Sequence, residues 1–208
     1  MASRLGDQTA RLQGRITLNP MYHVDPIGTL LFPALIIFGP FIGFSFFSGL
    51  LVGWAKPTPV ITRNFRKIVR DDNLTTLAGP VSNVLLVVGA FLVLAVISVA
   101  APGGHMLVMS SFAGMMNPDV GPGLQAAVLL SILAIEINLS LFFFNLLPIP
   151  PLDGSRVLRN LLPYNAAAAY DRIPIWVSYL LMIFVGGTVI MMLLRPSMAL
   201  VYFGLSQV

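Results

Sequence analysis

Cysteine is absent from the 208 residues and charge is scarce, since only 10% of the residues are Asp, Glu, Lys or Arg. The first absence excludes disulfides, thiolate metal ligands and a cysteine nucleophile. The second argues against an ordinary soluble domain, because such domains carry about 25% charged residues. The chain is also 57% hydrophobic, and long stretches contain no charge at all. This composition predicts a protein that has lipid as its solvent.

Four apolar segments are each long enough to cross a bilayer, which takes about 20 helical residues. They cover 27–54, 74–101, 124–147 and 175–194. The first is longer than one span requires, and Pro33, Gly39, Pro40 and Gly43 favour a broken, tilted or re-entrant path through it. The sequence therefore predicts an all-α polytopic membrane protein with about four transmembrane helices, which form one membrane-embedded domain over 1–208.

The segments outside these spans are expected to be short and irregular. Residues 1–26 predict a polar, hairpin-like lead-in, and the sequence near 53–66 predicts a strand-like or re-entrant element at the membrane surface. Residues 102–123 are rich in glycine, proline and methionine, which indicates a loop. Arg195 and Pro196 predict the end of the last span, followed by a short apolar tail.

The basic residues predict the orientation of the chain in the membrane. The loops at 55–73 and 148–173 hold eight Lys and Arg residues, whereas the opposite side holds four. Because cytoplasmic loops carry the excess of positive charge, both loops are predicted to be cytoplasmic. The basic residues flank apolar segments without interleaved aromatic residues, so we assign them to lipid headgroups and expect no nucleic-acid partner.

A proline-bracketed string, NLLPIPPLDG, carries the first polar candidate. Asn145 closes the third span, Pro148 and Pro151 preclude a continued helix, and Asp153 is expected to open a short helix through Leu161. Asp153 is interpreted either as a cap of this helix or as a fixed carboxylate at the membrane boundary, suited to a metal ligand or a general base. One carboxylate alone makes no site.

Two further groups of polar residues lie inside the spans. Gly79 and Asn83 are four residues apart and share a helix face, which favours either polar helix packing or an amide that holds substrate or stabilises an oxyanion. Glu136 and Asn138 lie near mid-membrane depth, where a polar side chain is a functional candidate as well as a paired structural group. Asn138 and Asn145 are seven apart and are predicted to line one face.

The sequence contains two histidines, His23 and His105. His23 lies just before the first span and His105 lies in the loop after the second span, and we do not expect them to meet in one site. A metal trio of His23, Asp25 and Asp153 is disfavoured, since the first two residues lie in a proline-bounded extended segment. No Ser-His-Asp arrangement and no phosphate-cradling glycine loop is present in the sequence.

Four strings together closely resemble the site-2 protease family of intramembrane zinc metalloproteases. They are RLGDQTARLQGRITLNPMYHVDPIGTLLFP, GWAKPTPVITRNFRK, LAGPVSNVLL and FFFNLLPIPPLDGSRVLRNLLP, in the expected order over nearly the whole chain. The resemblance implies that Asp153 is the family's third zinc ligand. It also implies that the surroundings of the active site include Asn83, Asn145, Gly79, Pro148 and Pro151.

The resemblance further implies a reaction, the zinc-dependent hydrolysis of a peptide bond within or beside a transmembrane substrate. In the family, two histidine ligands and the general-base glutamate come from a His-Glu-x-x-His helix, and this sequence contains no such motif. The chain as written therefore has no catalytic residue of its own and is expected to be inactive. We favour an N-terminally incomplete sequence over a shortened pseudoprotease.

Two other functions stay open at this point. One is a non-catalytic protein that binds membrane helices in the same groove, and the other is a small transporter with Glu136 and Asn138 along its path. For the favoured function we expect Zn²⁺ as cofactor, with a transmembrane or membrane-associated protein substrate and the lipid bilayer as partners. We expect an integral, multi-pass protein of the plasma membrane of a prokaryote.

Overall fold

The computed structural model describes residues 1–17, 19–31, 34–35, 38, 56, 58–115 and 120–208. The chain divides into two compact units, Met1–Asp72 and Asn73–Val208. Most of the predicted first span lies outside the described residues, and so do Pro33, Gly39, Pro40 and Gly43.

The first unit is built from short helical turns in its described part. It begins with two four-residue helices, α1 (Ala2–Leu5) and α2 (Thr9–Leu12). Single turns follow at Pro20–Tyr22, Pro26–Leu31 and Thr62–Asn64. The last of these is a 3-10 turn where a strand-like element was expected near 53–66, and residues 53–55 and 57 of that range lie outside the described residues. Pro59 offers no N–H to a strand ladder, which is one reason why a strand is not favoured there.

Three helices in the described ranges are long and apolar enough to cross a membrane. They are α3 (Ile68–Ala100), α5 (Pro122–Leu146) and a continuous helix over Ile175–Ser206. The last one comprises α8 (Ile175–Leu181), a π-helical stretch (Met182–Gly186) and α9 (Gly187–Ser206). The predicted all-α membrane fold is thus confirmed, and the protein is a multi-pass integral membrane protein.

The sequence predicted that the last span ends at Arg195, but the helix continues beyond this residue. Pro196 lies inside α9, and the helix continues to Ser206. A proline inside a helix removes one backbone hydrogen bond and costs about 3 kcal/mol. Here Leu205 is fully buried in the core beyond the proline, and this packing helps to keep the C-terminal turns helical.

The segment between the first two described spans also differs from its prediction. Instead of a loop it contains α4 (Gly104–Phe112), in which Leu107 and Val108 are fully buried. A Cβ atom on Gly104 would lie 2.0 Å from the carbonyl oxygen of Ile97, so only glycine allows α4 to fold back against the end of α3. Of the rest of this segment, residues 116–119 lie outside the described part.

One hydrophobic core holds the second unit together. Its fully buried members come from α3, α4, α5 and α9: Leu94, Leu107, Val108, Val128, Ile135 and Leu205. Away from this core, α6 (Asp153–Leu161) and α7 (Tyr164–Tyr170) connect α5 to α8. The helix predicted from Asp153 to Leu161 is confirmed, whereas α7 was not predicted.

Candidate functional site

Asp153 stands at the start of α6, directly after the third predicted span has ended. The α5 helix ends at Leu146, and the proline-rich stretch that follows cannot extend it. A Cβ atom on Gly154 would lie 2.1 Å from the carbonyl oxygen of Leu146, far inside a van der Waals contact. Glycine at this position therefore lets α6 begin against the end of α5, and it fixes Asp153 at that boundary.

The carboxylate of Asp153 is not used as a helix cap. Leu152 occupies the N-cap position of α6, and no side-chain hydrogen bond caps this helix, which lies wholly within the described residues. Asp153 is half-buried. Burial raises the pKa of Asp153, and the nearby Arg156 guanidinium opposes this rise. Of the two interpretations made from the sequence, the helix cap is therefore not observed.

Gly79 of α3 lies next to this carboxylate. A Cβ atom on Gly79 would be 3.4 Å from Oδ2 of Asp153, so the two residues are neighbours although they are far apart in the sequence. The lack of a side chain at Gly79 leaves the carboxylate room on the α3 side.

The α3 face around Gly79 carries polar groups that have no hydrogen-bond partner among the described residues. Thr75 precedes Gly79 by one turn and shares its face, and Thr76 precedes Pro80 by the same interval. The hydroxyl oxygens of Thr75 and Thr76 are buried, and neither has a hydrogen-bond partner among the described residues. Pro80 is buried within α3 and has no N–H to donate to the carbonyl of Thr76. Polar groups of this kind are tolerated at membrane depth around a polar cavity or in protein contacts.

The two asparagines that the sequence singled out are not linked to Asp153 by a hydrogen bond. Asn83 on α3 and Asn145 on α5 are both half-buried, and neither makes a hydrogen bond within the described part of the chain. Their amides are therefore available to a group from outside these residues. Asn138, predicted to share a face with Asn145, donates instead to the carbonyl of Ala134 in its own helix at 2.8 Å.

Residues that the sequence analysis missed hold the Asp153 segment in place. The Tyr170 hydroxyl donates to the carbonyl oxygen of Pro148 at 2.9 Å, and burial raises the pKa of Tyr170. On the other side of α6, the Asn160 amide donates to the side-chain oxygen of Asn73 in α3 at 2.7 Å. No local pattern could have revealed these partners, because each bond joins residues that are distant in sequence.

The described residues do not complete a zinc site. They contain no group of three His, Cys, Asp or Glu side chains that could hold a metal ion. His23 Nε2 lies 3.0 Å from the carbonyl oxygen of Thr17, and His105 Nδ1 lies 3.1 Å from the Ser98 hydroxyl. A zinc site needs three protein ligands, and Asp153 is one candidate among them.

Comparison with known proteins gave one informative relative. Over 169 residues the chain is 40% identical to a protein of Bacillus subtilis (strain 168) that bears the name "Putative zinc metalloprotease YwhC". The aligned region covers 81% of this chain and 63% of the relative, so the chain spans less than two thirds of the relative's length. No family model matches the chain, and no solved structure matches it.

Proposed function

We propose that this chain, whose site-2 protease-like sequence is supported by its Bacillus relative, carries part of the active site of a zinc metalloprotease. In this proposal Asp153 is a metal ligand, and the substrate is a transmembrane or membrane-associated protein. The observation that carries the proposal is the uncapped Asp153 carboxylate, held at the end of a membrane span beside Gly79.

The chemistry explains why one carboxylate is not enough. A bound zinc ion with an open coordination position would supply activation of a water molecule. The described residues supply one candidate ligand, so two further ligands and a general base have to come from residues outside this set.

The surrounding residues have supporting roles in this proposal. Pro148 and Pro151 make the approach to Asp153 rigid, and Gly79 leaves space beside its carboxylate. Asn83 and Asn145 each present an amide without a partner in the described part of the chain. Amides of this kind suit hydrogen bonds to the backbone of an extended substrate or to an oxyanion.

The test uses the natively expressed protein and compares Asp153→Ala with Asp171→Ala. Asp171 lies in the same loop, but its carboxylate binds Arg159 and is exposed, so it is a matched control. We expect about one zinc per chain in the unchanged protein, loss of zinc and of cleavage of a transmembrane reporter in Asp153→Ala, and no loss in Asp171→Ala.

Two results would contradict the proposal. Retention of zinc and activity in Asp153→Ala would remove Asp153 from the metal site. A native protein with the mass of these 208 residues and no zinc would favour a non-catalytic protein that binds membrane helices. Intact mass and elemental analysis distinguish these outcomes, while membrane insertion of each variant is checked by fractionation.

A further inference from the structure

Arg195 is a cation within an apolar membrane span. The span runs over 32 residues from Ile175 to Ser206, which is about 48 Å of helix and longer than the ~30 Å hydrocarbon layer. Apolar side chains on both sides of Arg195 are highly exposed, with Met192 at 76% and Leu200 at 72%. The guanidinium therefore emerges from an exposed apolar surface that continues both before and after it.

No protein anion neutralises this guanidinium in the part of the chain that the structure describes. Arg195 is exposed, and it has neither an ion pair nor a hydrogen bond with any described residue. An arginine side chain stays charged in proteins, and placing it at the membrane centre without a partner costs at least about 2.5 kcal/mol. The side chain is stabilised where it reaches the interface or an anionic headgroup.

A groove on the same helix face leads to Arg195. It has a volume of about 450 Å³, and the described residues that line it are Gly187, Thr188, Met191, Met192 and Arg195. These positions recur at intervals of one, three and four residues, so they form one stripe along α9. Gly187 contributes no side chain to the stripe, and the two methionines are flexible and apolar. Apart from the Thr188 hydroxyl, the described lining is thus mostly apolar along the groove and cationic at one end.

We propose that this groove binds a single phospholipid, with the phosphate on the Arg195 guanidinium and one acyl chain along Gly187, Met191 and Met192. Guanidinium groups bind phosphate oxygens through paired hydrogen bonds, which are stronger than neutral ones. The charge at the end of an otherwise apolar groove matches an amphiphile that has an anionic head and an apolar tail. This inference is independent of the proposed protease function.

The test measures lipid retention by native mass spectrometry. The purified protein is released from nanodiscs that contain phosphatidylglycerol, phosphatidylcholine and diacylglycerol. We compare the unchanged chain with Arg195→Gln, Arg195→Lys and Arg172→Gln. Arg172 is an exposed arginine just before the same span and does not line the groove, so its variant is the matched control.

We expect one retained phospholipid per chain, at least fivefold less retention in Arg195→Gln, intermediate retention in Arg195→Lys and no change in Arg172→Gln. Diacylglycerol, which lacks the phosphate, should not be retained. Equal retention of both phospholipids would assign binding to the shared phosphate, whereas a preference for phosphatidylglycerol would add the net charge of the lipid as a determinant.

A second variant fills the groove without removing the charge. No atom of a described residue lies within 4 Å of a Cβ atom on Gly187, so Gly187→Leu should fold, and it should reduce retention although Arg195 is intact. The proposal is overturned if Arg195→Gln retains phospholipid as the unchanged chain does, or if diacylglycerol is retained equally. It is also overturned if a photo-crosslinking residue placed at Met191 captures an acidic protein segment in place of lipid.

Discussion

Two glycines beside Asp153 differ sharply in the space around them, and this difference can be tested. The hydrogens of Gly154 face the Leu146 carbonyl at a distance where no Cβ atom fits, whereas Gly79 has ordinary contact distance to the Asp153 carboxylate. The first glycine is required by the backbone path. The second leaves space beside the Asp153 carboxylate.

We predict that Gly154→Ala destabilises the protein by about 1–3 kcal/mol, because the helix start must shift away from α5. Gly79→Ala should leave stability unchanged or raise it by up to about 1 kcal/mol, since alanine favours a helix. Thermal unfolding in detergent measures both, with Gly89→Ala as a control at an open position of the same helix. Equal effects at residues 79 and 154 would contradict the geometry.

Another carboxylate, Asp7, is buried in the first unit and connects parts of it by hydrogen bonds. It is fully buried and accepts hydrogen bonds from Thr9, from the Asn64 amide at 3.0 Å and from the Ile61 backbone N–H at 2.8 Å. Burial by itself would raise the pKa of Asp7, but these hydrogen bonds outweigh it and hold the pKa well below its usual value. The ionised form is therefore the stabilising form.

We predict that Asp7→Ala destabilises the first unit by about 1–3 kcal/mol near neutral pH, because the donors of Ile61 and Asn64 lose their acceptor. Since the folded pKa is depressed, the stabilisation is complete above the unfolded value of about 3.9 and is lost as the pH falls through the folded value. When the free energy of unfolding is measured from pH 7 down to acid, the values for the unchanged protein and for Asp7→Ala should converge only below about pH 4. A constant difference throughout would rule out this role of the charge.

At the scale of elements, the short helices between α5 and α8 are held by specific side chains. The Tyr170 hydroxyl of α7 binds the carbonyl of Pro148, and Arg159 of α6 forms a bidentate pair with Asp171. The ion pair is exposed on both sides, so solvent weakens it. The tyrosine bond is exposed as well, but it joins the Tyr170 side chain directly to the segment that leads to Asp153.

We predict that Tyr170→Phe lowers stability by about 1 kcal/mol and weakens zinc binding by the native protein, because the Pro148 segment is held less firmly. Arg159→Gln should change both quantities little. Zinc affinity measured by competition with a chelator, together with thermal unfolding, compares the two variants. An Arg159→Gln effect larger than that of Tyr170→Phe would show that the ion pair positions the loop instead.

At the scale of the whole molecule, the charge distribution predicts which side each loop faces. The segment between α3 and α5 contains no Lys or Arg, whereas the segment between α5 and α8 contains Arg156, Arg159 and Arg172. Successive described spans place these two segments on opposite sides of the membrane. The more basic one should be cytoplasmic.

Because the chain has no cysteine, single cysteines can report this topology without background. We predict that Met106→Cys reacts with a membrane-impermeant maleimide on intact cells, and that Tyr164→Cys reacts only after the membrane is opened. Both positions are exposed, at 69% and 87%. The reverse labelling pattern would invert the orientation.

The sequence by itself determined that this is a membrane protein of the helical class, and it placed four of the six boundaries of the described spans within about two residues. Apolar runs at least as long as the bilayer is thick and prolines that end helices act locally, so a reader of the sequence can apply them directly. The resemblance to the site-2 protease family and the short helix after Asp153 were also readable, because they depend on contiguous residues.

Only the tertiary structure decided which residues meet. The contact of Gly79 with Asp153, the donors around Asp7, the buried helix α4 and the continuation of α9 through Pro196 all depend on packing between segments that are distant in sequence. Local propensity argued against the last two, and burial of residues such as Leu107 and Leu205 outweighed it. The free energy of such contacts arises between two elements, so it cannot be predicted from either segment of sequence alone.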